Sequence, residues 1–163
     1  MSVLPEIAGD NAIAVAIHEH LPTAIVDAVK AVDGLVFYID PGQIVPVCQF
    51  LKDGAGFEQL MGITGVDWWP RAPRFEVIYL LRSYKHNQRL RLAVRLPEGQ
   101  EIDSVCPVWR GANWYERETF DLFGVVFRNH PNLERIMMPA DWEGHPLRKD
   151  YPVHGHKYSY RDE

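Results

Sequence analysis

The side chains able to hold or move a proton group first at Glu116, Arg117, Glu118 and Asp121. Stepping about 100° per residue from Trp114 puts Arg117, Asp121 and Glu118 on one helix face beside Trp114. Leu122, Tyr115, Thr119, Phe123 and Phe120 fill the opposite face, and Glu116 falls among them. A carboxylate inside an apolar face must be paired or hydrogen-bonded, because burying a bare charge costs several kcal/mol. Glu116 is then either a catalytic acid with a raised pKa or one half of a structural ion pair with Arg135 or Arg148. Structural networks also hold buried acids, and the ion pair is the favoured reading.

Other chemistries find little to stand on. His130, His145, His154 and His156 are imidazoles suited to zinc, but their spacing matches no metal motif and no H-E-x-x-H occurs. Hydrogen-bonding histidines at a surface or interface are the plainer reading. Cys48 and Cys106 cannot supply the four thiolates of an iron–sulfur cluster, there is no C-x-x-C, and both read as small buried hydrophobes. No G-x-G-x-x-G, P-loop or G-x-S-x-G elbow is present. Arg89, Arg91 and Arg95 form a basic stripe on one strand face, without the glycine and aromatic interleaving of an RNA-binding strand. A solvated or partner-facing sheet surface accounts for them better.

The elements that position these residues follow from periodicity. Asn11–Leu21 reads as a helix capped by Asp10 or Asn11 and ended by Pro22. Residues 24–29 and 35–39 read as a hairpin about Asp33 and Gly34. Gln43–Lys52 has helical spacing, with Pro46 tolerated in its first turn. Residues 57–69 read as a strand entering an aromatic loop. Residues 75–81 are apolar on both faces, as in a central strand. Leu90–Leu96 alternates, its arginines outward and its leucines and valine inward. Residues 109–123 read as a helix with a capping box of Asn113 and Glu116, stopped by Gly124. After Phe127 prolines and glycines break every period. Residues 128–163 hold six bases, six acids and four histidines and read as an extended arm, disordered or laid over another surface.

The fold class expected is therefore α+β: a mixed sheet of about four or five strands packed with helices, a C-terminal helix, and an irregular arm. The domains are 1–127 and an arm, 128–163. At 163 residues, 47% hydrophobic and 24% charged, the chain is long enough for one well-formed core. Its net charge of −5 argues against a general nucleic-acid binder. Residues 1–70 carry nine acids and two bases, and the remainder fifteen bases and thirteen acids, which points to distinct contact surfaces. No run is long and apolar enough to span a membrane, and Met1–Leu21 lacks the basic start of a signal peptide. Any membrane contact is expected through partners.

The 39 residues from Trp114 to Pro152 resemble the signature of the respiratory complex I thirty-kilodalton subunit family, whose bacterial form is the C subunit of type I NADH dehydrogenase. Glu116-Arg117-Glu118 and Asp121 resemble its E-R-E-x-x-D core. Gly124, Phe127, His130-Pro131, Leu133, Arg135-Ile136 and Met138-Pro139 follow in the family spacing. Asp141-Trp142 and Gly144-His145-Pro146-Leu147-Arg148-Lys149-Asp150-Tyr151-Pro152 resemble its ending. Glu134 departs from the pattern, which often has a base there. Upstream, Arg74-Phe75-Glu76-Val77 and Lys85-His86-Asn87 resemble the family's central hairpin more loosely.

The resemblance implies a core subunit with no cofactor and no catalytic site of its own. FMN, iron–sulfur clusters and quinone would be bound by other subunits of a proton-pumping NADH:quinone oxidoreductase. The partners implied are the quinone-site subunit, of the family's D type, and neighbouring cluster-bearing subunits of the hydrophilic arm. The place implied is peripheral, on the cytoplasmic face of the membrane. Ordering an extended arm costs about 1–2 kcal/mol per residue, so it needs a surface to dock on. Trp142, Leu147 and Tyr151 would anchor it, while Arg135, Arg148 and Lys149 pair with carboxylates. Glu116, Arg117, Glu118 and Asp121 would bind arm arginines or partner bases. Truncation after Met138 would then leave 1–127 folded but unable to assemble. Related readings are the equivalent subunit of a membrane-bound hydrogenase or of a ferredoxin-linked quinone reductase. A freestanding metal-dependent hydrolase using the C-terminal histidines is the rival from another class.

Overall fold

A computed structural model describes residues 4–32 and 34–152. Helix α1, Ala12–His20, begins where expected, because the Asn11 side chain accepts from the N–H groups of Ile13 and Ala14. Strands β1 (Ile25–Ala31) and β2 (Gly34–Ile39) pair antiparallel as the expected hairpin; Asp33 of its turn lies outside the described residues. Helix α2 follows at Ile44–Asp53, with Pro46 in its first turn. Then come β3 (Gln59–Asp67), β4 (Phe75–Ser83) and β5 (Gln88–Leu96). They form one five-stranded sheet in the order β1-β2-β5-β4-β3, and only the β2–β5 pairing is parallel. The fold is α+β with a mixed sheet.

Strand alternation decides which face is core. Phe75, Val77, Tyr79 and Leu81 of β4 and Leu92, Val94 and Leu96 of β5 are buried on one face. Ile44, Val47, Cys48 and Leu51 of α2 join the same cluster. Helix α3, Ala112–Phe123, packs on β3. Gly65 makes that approach possible: a Cβ there would lie 2.8 Å from the ring of Phe123. A short parallel pair, β6 (Ile102–Asp103) with β7 (Phe127–Arg128), ties the chain before α3 to the chain after it.

Two local expectations are corrected. Helix α3 starts at Ala112 rather than Trp109, because residues 105–112 are occupied by tight turns closing on the carbonyls of Val105 and Trp109. The Asn113–Glu116 capping box does not form, since Asn113 already lies within the helix and Gly111 is its N-cap. Gly124 ends the helix in the left-handed conformation, φ 77°.

Candidate functional site

Helix α3 presents two carboxylates to two different surroundings. Glu116 points inward, fully buried. One oxygen accepts from the Val105 N–H at 2.7 Å, and the other from the Ser104 hydroxyl at 2.5 Å and the Cys106 thiol at 3.4 Å. Neither arginine expected to pair with it does so: Arg135 and Arg148 are both engaged elsewhere, and among the described residues Glu116 instead holds the loop that leads into its own helix. Burial raises its pKa against the opposing pull of these donors. The Cys106 thiol is pushed up to about 11, mainly by burial.

His130 completes this cluster, with Nε2 3.9 Å from Glu116. Among the described residues, Cys106, Glu116 and His130 are the group whose donor atoms lie close enough, within 4.8 Å, to surround a metal ion. The hydrogen bonds argue against a resident ion. The Asn132 N–H donates to Nδ1 at 3.0 Å, so Nε2 carries the proton and gives it to the Asn113 carbonyl at 3.2 Å. Nε2 thus has no lone pair to offer, and burial lowers the pKa of the ring. The cluster is a hydrogen-bonded brace. His154 and His156 lie outside the described residues, and His145 sits against a different turn of α3.

The helical wheel puts Asp121 on the face of Trp114, Arg117 and Glu118, yet it is fully buried. The reason is the segment after Phe127, which finds its first surface within the chain and folds across α3. The second carboxylate oxygen of Asp121 accepts three successive backbone N–H groups, from Ile136 at 3.0 Å, Met137 at 2.7 Å and Met138 at 2.9 Å. Its first oxygen takes Arg135 at 2.6 Å. Burial opposes the charge, but the backbone donors and Arg135 outweigh it and hold the carboxyl below its usual range. Arg117 donates to the carbonyls of Glu134 and Arg135 and stacks on Trp114, while half-buried Glu118 makes none of these contacts.

The arm also finishes the helix. The last four carbonyls of an α-helix lack partners inside it. Here Phe120 is served by the Gly124 N–H, Asp121 by His145 Nδ1 and Arg135, Leu122 by the Leu147 N–H, and Phe123 by Arg148 Nε. Gly124 is the crossing point, where a Cβ would come within 2.6 Å of the His145 ring.

Farther along, Arg74 closes the arm onto the sheet. It is 7% exposed and binds Asp67 through two nitrogens, Glu98 at 3.0 and 3.1 Å, and Asp150 at 2.6 Å. The Lys149 N–H adds a bond to Asp67 at 2.9 Å. Sequence reasoning takes Arg74 only as part of a motif; its position beside Asp67 across the β3–β4 turn is the signal that could have found it. Trp142 and Pro146 are half-buried, and Pro131, Asp141, Leu147 and Lys149 are exposed. The Tyr151 hydroxyl donates to the Glu143 carbonyl.

Residues 37–157 match the family model described as respiratory-chain NADH dehydrogenase, 30 Kd subunit. The chain belongs to that family. It is 40% identical over 153 residues to the C subunit of the Geotalea uraniireducens NADH-quinone oxidoreductase, covering 93% of each protein. The C subunit of a Roseiflexus NADH-quinone oxidoreductase is 47% identical over 136 residues, 82% of this chain and 78% of its own. The mitochondrial 30.4 kDa subunit of Neurospora crassa NADH-ubiquinone oxidoreductase is 46% identical over 133 residues, 80% of this chain but 47% of its own. Family membership makes the chain a component of the respiratory NADH-quinone oxidoreductase, working beside partner subunits. No described helix is long and apolar enough to cross a membrane.

Proposed function

We propose that the chain is a non-catalytic core subunit of the hydrophilic arm of proton-pumping NADH:quinone oxidoreductase, docking onto and supporting the quinone-site subunit. Its role is architectural. NADH oxidation, electron transfer through FMN and iron–sulfur clusters, and quinone reduction belong to the other subunits. The chain sits peripherally, on the cytoplasmic face of the membrane, held there by its partners.

The observation that carries this reading is the state of α3 and the arm. The Glu116 and Asp121 carboxylates and the last carbonyls of α3 beneath them find partners within the chain, yet Trp114, Met137 and Leu147 remain 62%, 60% and 52% exposed above them. Apolar anchors held on a rigid base bind a partner with little further ordering cost. Affinity purification in mild detergent, with mass spectrometry of what is retained, tests the proposal. Recovery of the quinone-site subunit together with NADH-flavin and antiporter-like membrane subunits is expected. A partner with nickel ligands would move the chain to a hydrogenase, and recovery of the chain alone would refute the docking role.

A further inference from the structure

The side of the sheet turned away from α2 and α3 is a second surface of distinct chemistry. Alternation places Ile78 and Leu80 of β4 there, because Val77, Tyr79 and Leu81 between and beside them face the core. Register adds their neighbours. Ile78 lies opposite Ala93, which lies beside Tyr38; Leu80 lies opposite Arg91, which lies beside Val36. Strands apolar on both faces are the pattern of a sheet covered on both sides, yet among the described residues the helices pack on the core side. Ile78 and Leu80 are half-buried and Val29, at the β1 end, is 42% exposed.

The charge of this face is opposite to that of the chain. Among the described strand residues Arg82, Arg89, Arg91 and Arg95 project there against Asp27 and Glu76, four bases to two acids, in a protein of net charge −5; Arg82 stacks on Tyr84 and Arg91 has a partner of its own. Arg95 is committed, stacked 3.7 Å from the Tyr38 ring centre and paired with Asp27. Arg89 is exposed at the mouth of a cleft of about 230 Å³ that Met61 and Leu80 also line.

We propose that this open face is a docking surface for an acidic amphipathic helix of a partner protein, separate from the α3–arm surface. An apolar centre rimmed by guanidinium groups fits the apolar stripe of a helix flanked by Asp and Glu, and such a helix would complete a third layer on the sheet. A second copy of the chain is disfavoured, since a two-fold contact would set the arginine rims against each other.

A photo-crosslinking residue at position 80, in the chain assembled in its native complex, tests this, with the same residue at position 137 reporting the arm side. The expected product from position 80 is a partner peptide of helical apolar spacing with a surplus of Asp and Glu. Arg89→Glu should lower that crosslink about tenfold while leaving the one from position 137 unchanged, and Arg89→Lys should restore most of it. A crosslink from 137 with none from 80 overturns this proposal and leaves the arm reading standing. No crosslink from either position overturns both. Capture of a second copy, a basic segment, a lipid or a nucleic acid at position 80 likewise overturns it, as does an Arg89→Glu yield equal to wild type.

Discussion

Asp121 holds Arg135 at 2.6 Å with one carboxylate oxygen while the other receives three consecutive backbone N–H groups from the residues that follow Arg135. The helix thereby fixes both a side chain and the backbone of the arm from a single position. Replacing Asp121 by Ala strands three N–H groups and removes the carboxylate partner of the half-buried Arg135, which keeps only the carbonyls of residue 121 and Gly144. The expected cost is about 3–5 kcal/mol, comparable to breaking a buried ion pair. At this chain length the melting midpoint should fall by roughly 10 °C. A thermal melt of the Asp121→Ala chain within a degree of wild type would deny the arm its energetic weight.

Acid should loosen the arm in two stages. Asp67, Asp121 and Asp150 have folded-state pKa values below their unfolded ones. Such groups contribute stability above the unfolded pKa, near 4, and lose it as pH falls through the folded value. His130 and His145 are also lowered, chiefly by burial, so their contribution starts to fade below about pH 6.5. Protection factors at Ile136, Met137 and Met138, taken against the intrinsic exchange rate at each pH, should fall modestly between about pH 6.5 and 5 and steeply below about 4. In Asp121→Asn the lower step should flatten.

Glu116 has the reverse sign. Its folded pKa is raised, so its contribution is present below the unfolded value and is lost as pH climbs through the folded one. Glu116→Gln removes that ionisation, and the stability of the variant should depend less on pH above about 4.5 than that of wild type. Glu116→Ala, which strands the Ser104 hydroxyl and Val105 N–H, should cost about 2–3 kcal/mol in denaturant unfolding. A Glu116→Gln curve parallel to wild type across this range would refute the buried-acid assignment.

Two glycines separate backbone strain from crowding. Gly99 has φ 81° with open space around it, and Gly124 has φ 77° with His145 and Arg148 against it. Alanine at 99 should cost about 1 kcal/mol for conformation alone. Alanine at 124 should cost at least about 2 kcal/mol more, since the arm must lift off the helix end. Equal losses in paired melts would mean that the crossing at Gly124 is not tight.

Arg74→Lys keeps the charge but cannot hold Asp67, Glu98 and Asp150 together, because an ammonium lacks the planar fork. Trypsin should then cut after Arg148 or Lys149 at least about tenfold faster, following the opened fraction that a loss of some 1.4 kcal/mol brings. Digestion at the wild-type rate would show that the arm end is held without Arg74.

The sheet and helices were legible because periodicity acts locally: β5 alternates, α1 has its asparagine cap, and α3 ends at a glycine. The inward aim of Glu116 was legible for the same reason. Its partners were not, since Ser104 and Val105 reach it through a turn that carries no periodic signal. The burial of Asp121 was not legible, because a helical wheel knows only one layer. Its burial comes from residues 135–138, whose path is fixed by the hydrogen bonds they make and not by any pattern of their own. Arg74 escaped for a similar reason, joining residues as far apart as Asp67 and Asp150.

The donors that serve the last carbonyls of α3 lie up to 25 residues downstream of them in the chain. A growing polypeptide therefore emerges with the carbonyls of residues 121–123 at the end of this helix unserved and Asp121 bare. At about 5–20 residues per second, the 28 residues that follow Phe123 as far as Tyr151 take roughly 1.4–5.6 s to synthesise. For that interval the nascent domain carries an exposed, anionic helix end, and it matures only when the arm through Arg148 has been made.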